Sequence, residues 1–268
     1  MSFYILEISN AVNMLNKILI LIISLSCNYC FAISLDFTDS KDKILPEGFV
    51  YLSDIDPTII VDLKYSTDQN FMASPVRGYN SPKAILTLEA ATALKAVQND
   101  LRLKGYSLVV YDAYRPRKAV EQFVEWTANK KDQKNKIKFY PNVLKSELVN
   151  LGYIAEDSDH SRGSSVDVSI IRIDQDLSPI NEIKRVLNDG TEILFLDDGT
   201  LDMGSSYDLF DEVSAHNCPK NSALGDINRR FLKTIMYQHG FKAYDKEWWH
   251  YTYIREPFAD TSFDFDIE

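Results

Sequence analysis

Cysteine is almost missing from this chain. Its 268 residues include three, Cys27, Cys30 and Cys218, and the first two fall in an N-terminal stretch that reads as a leader. Once they are removed a single thiol remains, so no internal disulfide can staple the fold, which must rest on its core and on any bound metal. A membrane-length apolar run is missing too. Ile18 to Leu25, led by Lys17, is too short to stay in a bilayer as a helix. Clustered positive charge is also absent. With 29 Lys and Arg against 39 Asp and Glu the net charge is −10, which argues against nucleic-acid binding through phosphate contacts. The lysine-rich run at 130–138 is short and mixed and reads as a solvated loop. No internal repeat and no low-complexity linker is seen.

The Lys17-led apolar run gives way to small and polar residues up to Ala32, the pattern of a secretory signal peptide cut after Cys30-Phe31-Ala32. Met14 offers an alternative start with a more usual leader length. A lipoprotein anchored through Cys27 fits less well, because Ser24 stands where an aliphatic residue is usual. The expectation is a leader over 1–32 and one domain over 33–268. The mature protein is expected in the periplasm, with no stable membrane anchor.

Histidine is scarce at four residues, which makes two of them informative. His160 and Asp167 lie seven apart around the turn Ser161-Arg162-Gly163-Ser164, and the β-branched residues after Asp167 read as a strand. Imidazole nitrogen and carboxylate oxygen both suit Zn²⁺. A third ligand comes far downstream, in Glu247-Trp248-Trp249-His250. His160, Asp167 and His250 with a spare Glu247 are the inventory of a catalytic zinc site that leaves one metal position open for water. Taken singly, each has a plainer reading. A lone His near a turn is a common surface or core residue, Asp167 a turn or cap residue, and the two Trp core aromatics. The combination is what points to a metal.

The combination also resembles a known family, the zinc DD-peptidases of the Hedgehog-like fold, and within it the VanX-like D-alanyl-D-alanine dipeptidases. The resemblance runs from about Gly48 to about Phe265. Beyond the two metal blocks it is carried by Gly48-Phe49-Val50-Tyr51-Leu52, Tyr111-Asp112-Ala113-Tyr114-Arg115-Pro116, and Asp202-Met203-Gly204 leading to Phe210-Asp211-Glu212. It implies one zinc per chain and hydrolysis of a free D,D-dipeptide, with Glu247 as general base. It also implies that Arg115 steadies the developing oxyanion; guanidinium suits that task because it stays charged and donates two bonds. It further places Asp208 on the substrate amine, with Tyr65 and Ser158 as substrate contacts. On sequence alone Asp208 is equally a turn residue. His216 and His239 match no ligand block and read as structural. Asp159 departs from the uncharged or basic residue expected beside the first His.

Two other functions stay in view. One is a D,D-carboxypeptidase acting on longer wall peptides. The other is a non-catalytic zinc-containing binding module, disfavoured because Glu247 and Arg115 are both present and a structural zinc wants a fourth protein ligand.

The expected fold is a single α+β domain, an antiparallel sheet with flanking helices. Strands are predicted at Phe49–Leu52, Ile59–Tyr65, Tyr106–Asp112 and Glu247–Ile254. Helices are predicted over 86–104, with Leu88, Ala91, Leu94, Val97 and Leu101 inward, over about 116–126, and over 226–240, with Ile227, Phe231, Ile235 and Met236 inward. Residues 172–201 form an insert, read as a β-hairpin with turns at Asn188-Asp189-Gly190 and Asp197-Asp198-Gly199.

Overall fold

The computed structural model describes residues 45–268. The expected leader, and the start of the mature chain up to residue 44, lie outside the described residues.

The chain enters through β1 (Phe49–Tyr51), a short helix α1 (Leu52–Ile55) and β2 (Ile60–Val61). After a loop come β3 (Ile85–Thr87), which pairs antiparallel with β1, and the helix α2 (Leu88–Arg102). Thr87 caps that helix, its Oγ1 accepting from Ala90 N at 3.4 Å. Ala90, Ala91, Leu94, Val97 and Leu101 face the core, whereas the expected inward Leu88 is 46% exposed. Buried Gln98 ties the helix to the next strand, accepting from Leu108 N at 2.8 Å and donating to Ser107 Oγ at 2.9 Å.

That strand is β4 (Tyr106–Asp112), buried from Ser107 onward, as a strand covered on both faces must be. It delivers α3 (Arg117–Ala128) and the single turn α4 (Lys136–Phe139). β5 (Ser165–Arg172) follows, then the hairpin β6 (Asn181–Val186) and β7 (Glu192–Asp197). The chain closes with α5 (Ala223–Gln238), β8 (Phe241–Ala243) and β9 (His250–Tyr253).

The main sheet runs β2-β4-β5-β9-β8. All its pairs are antiparallel except β2–β4, which is parallel. The expected antiparallel sheet with flanking helices is thus present, with one parallel pair at its edge, and the reason for that pair is the connection. The chain between β2 and β4 carries the helix α2, the kind of crossover that two parallel neighbours require. The predicted strand over Ile59–Tyr65 is also shorter. Only Ile60 and Val61 pair, and Lys64–Ser66 winds into a 3₁₀ turn that swings Tyr65 into the interior.

Helix α5 corrects a second expectation. Ile227 is 55% exposed, and the buried stripe is Gly225, Arg229, Leu232, Ile235 and Met236. An arginine can face inward here because loop oxygens receive it. Its guanidinium donates to Met203 O at 2.6 Å, Ala215 O at 2.7 Å and Ser205 Oγ at 3.2 Å.

The 172–201 insert is a hairpin, with Leu187 N bonded to Thr191 O at 2.8 Å and Gly190 at φ +87° in the tip. The second expected turn, Asp197-Asp198-Gly199, closes no further hairpin. It ends β7 and turns the Asp198 carboxylate inward. Cys218 is buried and free. No helix among the described residues is long and apolar enough to cross a membrane.

Candidate active site

Three adjacent strands put one row of side chains together. Asp112 at the end of β4 is in register with Asp167 on β5, and Asp167 with His250 on β9. Directly opposed residues of antiparallel strands share a face, so seemingly unrelated stretches of sequence converge. His160 joins them from the 3₁₀ turn Asp159–Arg162. Gly163 ends that turn at φ +76°, where a Cβ would collide with the Phe49 ring. Only glycine satisfies both demands.

His160 Nε2, His250 Nδ1 and Asp167 Oδ1 form a triangle with sides of 3.0, 3.1 and 3.2 Å. Tetrahedral ligands about 2.0–2.1 Å from zinc stand roughly 3.3 Å apart, so the spacing fits. The protonation pattern fits as well. His160 Nδ1 lies 2.7 Å from Ala113 O, which can only accept, so Nδ1 carries the proton and Nε2 presents a lone pair. Burial holds the His250 pKa down and favours the neutral ring. Burial alone would drive the Asp167 carboxyl neutral, and positive charge within the triangle, beside His160 and His250, is what holds it below the usual range. The His160 lone pair, His250 Nδ1 and the Asp167 carboxylate face one another at a spacing that suits a cation between them. These three are the group of potential metal ligands found among the described residues.

Glu247 sits in the turn before β9. His250 N bonds to Glu247 O at 3.3 Å in an i+3 turn, which lets residues three apart face the same cavity when a flat strand would oppose them. Trp248 and Trp249 are buried and anchor this turn, with Trp248 Nε1 donating to Ser205 Oγ at 3.0 Å and Trp249 O accepting from Val168 N at 3.0 Å. Burial, with Asp167 and Asp208 adding to it, pushes the Glu247 carboxyl well above its ordinary pKa.

Arg115 follows the end of β4. Asp112 Oδ2 lies 2.9 Å from both its Nε and Nη2, and its guanidinium lies 5.3 Å from the Tyr65 ring centroid and 5.2 Å from that of Phe123. Nη1 reaches Ser158 Oγ at 3.4 Å. Asp208 is buried at φ +59°, a left-handed conformation uncommon outside glycine, and Tyr65 OH donates to its Oδ2 at 2.8 Å. Burial first and the Asp167 charge second push the Asp208 carboxyl well above its ordinary pKa.

All eight residues expected from sequence, Tyr65, Arg115, Ser158, His160, Asp167, Asp208, Glu247 and His250, line one cavity of about 220 Å³. His216 and His239 stand elsewhere. His239 meets Asp100 at 2.8 Å, and His216 is buried against Tyr251. Sequence reading passed over the partners: Asp112, Tyr207, and the aromatic wall of Phe71, Phe123, Tyr153 and Phe210. Asp112 carried a signal, an acid three residues before an arginine across a strand end. The aromatics carried none, since core residues look the same.

An open triad of metal ligands beside a buried carboxylate and a buried arginine is the outline of a metal-dependent hydrolase. Comparison with known proteins agrees: residues 46–181 and 191–268 match the Peptidase_M15 family, described as D-ala-D-ala dipeptidase, and the chain belongs to that family. Curated relatives named D-alanyl-D-alanine dipeptidase include one from Enterococcus faecalis, 37% identical over 224 residues, covering 83% of this chain and 100% of the relative. Another, from Enterococcus faecium, is 35% identical over 222 residues, 82% and 98% of the two chains. A third, from Streptomyces coelicolor, is 34% identical over 219 residues, 82% and 98% of the two. The internal stretch between the two matched segments, 182–190, is most of β6 and the hairpin tip.

Proposed function

We propose that this protein hydrolyses D-alanyl-D-alanine to two D-alanines, with zinc held by His160, Asp167 and His250. The observation that carries the reading is the triangle of His160 Nε2, His250 Nδ1 and Asp167 Oδ1, 3.0–3.2 Å on a side, set in a small cavity with Glu247 and Arg115. Zinc there would supply Lewis acidity, polarising a carbonyl and lowering the pKa of a water toward ~7. Glu247 then takes the proton of the attacking water on its carboxylate and returns it to the leaving amine. Its raised pKa suits both halves of that shuttle. Arg115, kept charged by Asp112, offers its guanidinium to the carbonyl oxygen as negative charge grows there. Asp208 receives the substrate's ammonium, and Ser158 and Tyr65 shape the pocket around it.

Export is part of the same proposal. It is supported by the Lys17-led apolar run and the small-residue site at Ala32, and a product cut at Ile33 in N-terminal sequencing of the native protein would test it. Retention of residues 14–32 would overturn it. The activity is tested by assaying D-Ala-D-Ala hydrolysis alongside zinc content. His160→Ala, Asp167→Ala and His250→Ala should each lose metal and activity together. Full zinc in any one of them removes that residue from the ligand set.

A further inference from the structure

Tyr207 touches the metal triad from behind. Its hydroxyl donates to Asp167 Oδ2 at 3.2 Å, whereas Oδ1 is the oxygen turned toward His160 and His250. The other group near Oδ2 is Arg115 Nη2 at 3.7 Å, beyond good hydrogen-bond reach. Phenylalanine would fill the same buried volume without the desolvation cost of a hydroxyl. Asp167 Oδ2 is the partner that the structure gives that hydroxyl.

The Tyr207 ring is itself held. It stacks on Tyr111 at 4.7 Å and 27°, and meets Trp249 edge-on at 5.4 Å. Tyr111 OH donates to Asp198 Oδ2 at 2.5 Å, and Leu196 N donates to Ser206 Oγ at 2.7 Å. Both ties come from the base of the β6–β7 hairpin. The insert therefore holds the surroundings of Tyr207 at two points, its stacking partner Tyr111 on β4 and its chain neighbour Ser206.

We infer that Tyr207 is a positioning residue for the ligand carboxylate of Asp167, and that the base of the inserted hairpin holds it in place. With Oδ2 engaged by the tyrosine, the carboxylate stays oriented with Oδ1 toward the two histidines. The inference rests on reading His160, Asp167 and His250 as metal ligands.

The test is zinc affinity, measured by competition with a chelator, together with the melting temperature of the metal-free protein. Tyr207→Phe keeps the ring and removes the hydrogen bond. It should bind zinc about 10- to 100-fold more weakly, the usual effect of losing a partner of a metal ligand, with an unchanged metal-free melting temperature. Tyr111→Phe, which cuts the tie to Asp198, should weaken zinc binding in the same direction. Wild-type affinity in Tyr207→Phe overturns the inference and leaves the metal site standing. Weaker zinc accompanied by a lower metal-free melting temperature marks a packing defect and also overturns it. Wild-type affinity in Tyr111→Phe removes the hairpin's tie through Asp198 from the role. A native protein that binds no zinc sinks the metal reading and this inference together.

Discussion

Asp112 Oδ2 lies 2.9 Å from both Nε and Nη2 of Arg115, while Asp112 Oδ1 accepts from Tyr79 OH at 2.7 Å. The carboxylate is fully buried, and burial alone would drive it neutral; the adjacent guanidinium opposes this. The arginine is thus aimed before substrate arrives, with its Nη1 side left for the cavity.

Asp112→Asn keeps the volume but weakens that clamp. Loss of aim by a fraction of an ångström can cost ~10² in rate, so kcat should fall by about that factor with zinc retained. Normal kcat in this variant would show that Arg115 needs no such clamp.

Glu247 gives a pH prediction. A general base works as the carboxylate, so activity rises with pH through its pKa. Burial and the charges of Asp167 and Asp208 raise that pKa, which places the acid limb of kcat/KM above the ordinary Glu value near ~4.3. Glu247→Gln should abolish the limb and lower kcat by roughly 10² to 10⁴ while holding zinc. A wild-type limb at or below the ordinary value, or a Gln variant of normal rate, would remove Glu247 from this role.

Much of the candidate site could be read from sequence because its chemistry is written in rare residue types at local spacings. His160 and Asp167 flank one turn, and Glu247 and His250 share another. What stayed hidden depends on tertiary context. Periodicity assumes that apolar residues face inward, so it turned Ile227 inward and missed Arg229, whose burial is made possible by two carbonyls and a hydroxyl from the 203–215 loop. Tyr65 looked like a strand residue. It reaches the site because the strand stops at Val61 and a 3₁₀ turn follows. Tyr207 looked like any core aromatic until its hydroxyl was found on Asp167.

His216 offers a stability test away from the chemistry. Burial, with Lys233 and Arg229 adding to it, pushes its pKa down to about 3, and its Nε2 has no partner. The unfolded chain, with His near ~6.5, binds the proton more readily than the fold between those values, so stability rises with pH across that window. The contribution is fully present above the unfolded pKa and is lost as pH falls toward 3. Lowering pH from 6.5 to 4.5 should cost about 2 kcal/mol through this group. Urea unfolding of metal-free wild type and His216→Phe at several pH values would show it as a shallower dependence in the variant. Equal slopes would mean that His216 protonates in the folded state at no cost.

Asp208 should decide which D,D-peptides are accepted. It is buried beside Tyr65, whose hydroxyl donates to it at 2.8 Å, and burial together with the Asp167 charge opposes its ionisation. An ammonium placed beside it reverses that balance, so a substrate with a free amine gains a charge pair that an acylated one lacks. Leaving such a carboxylate unpaired in a closed site costs several kcal/mol, or about two orders of magnitude in kcat/KM at ~1.4 kcal/mol per tenfold. N-acetyl-D-Ala-D-Ala and a pentapeptide ending in D-Ala-D-Ala should therefore be cut at least ~10²-fold less efficiently than the free dipeptide. Asp208→Ala should keep its zinc, lose most activity on the dipeptide, and narrow the gap between dipeptide and acetylated form. Comparable kcat/KM on all three substrates by the wild type would make the protein a D,D-carboxypeptidase and take Asp208 out of substrate recognition.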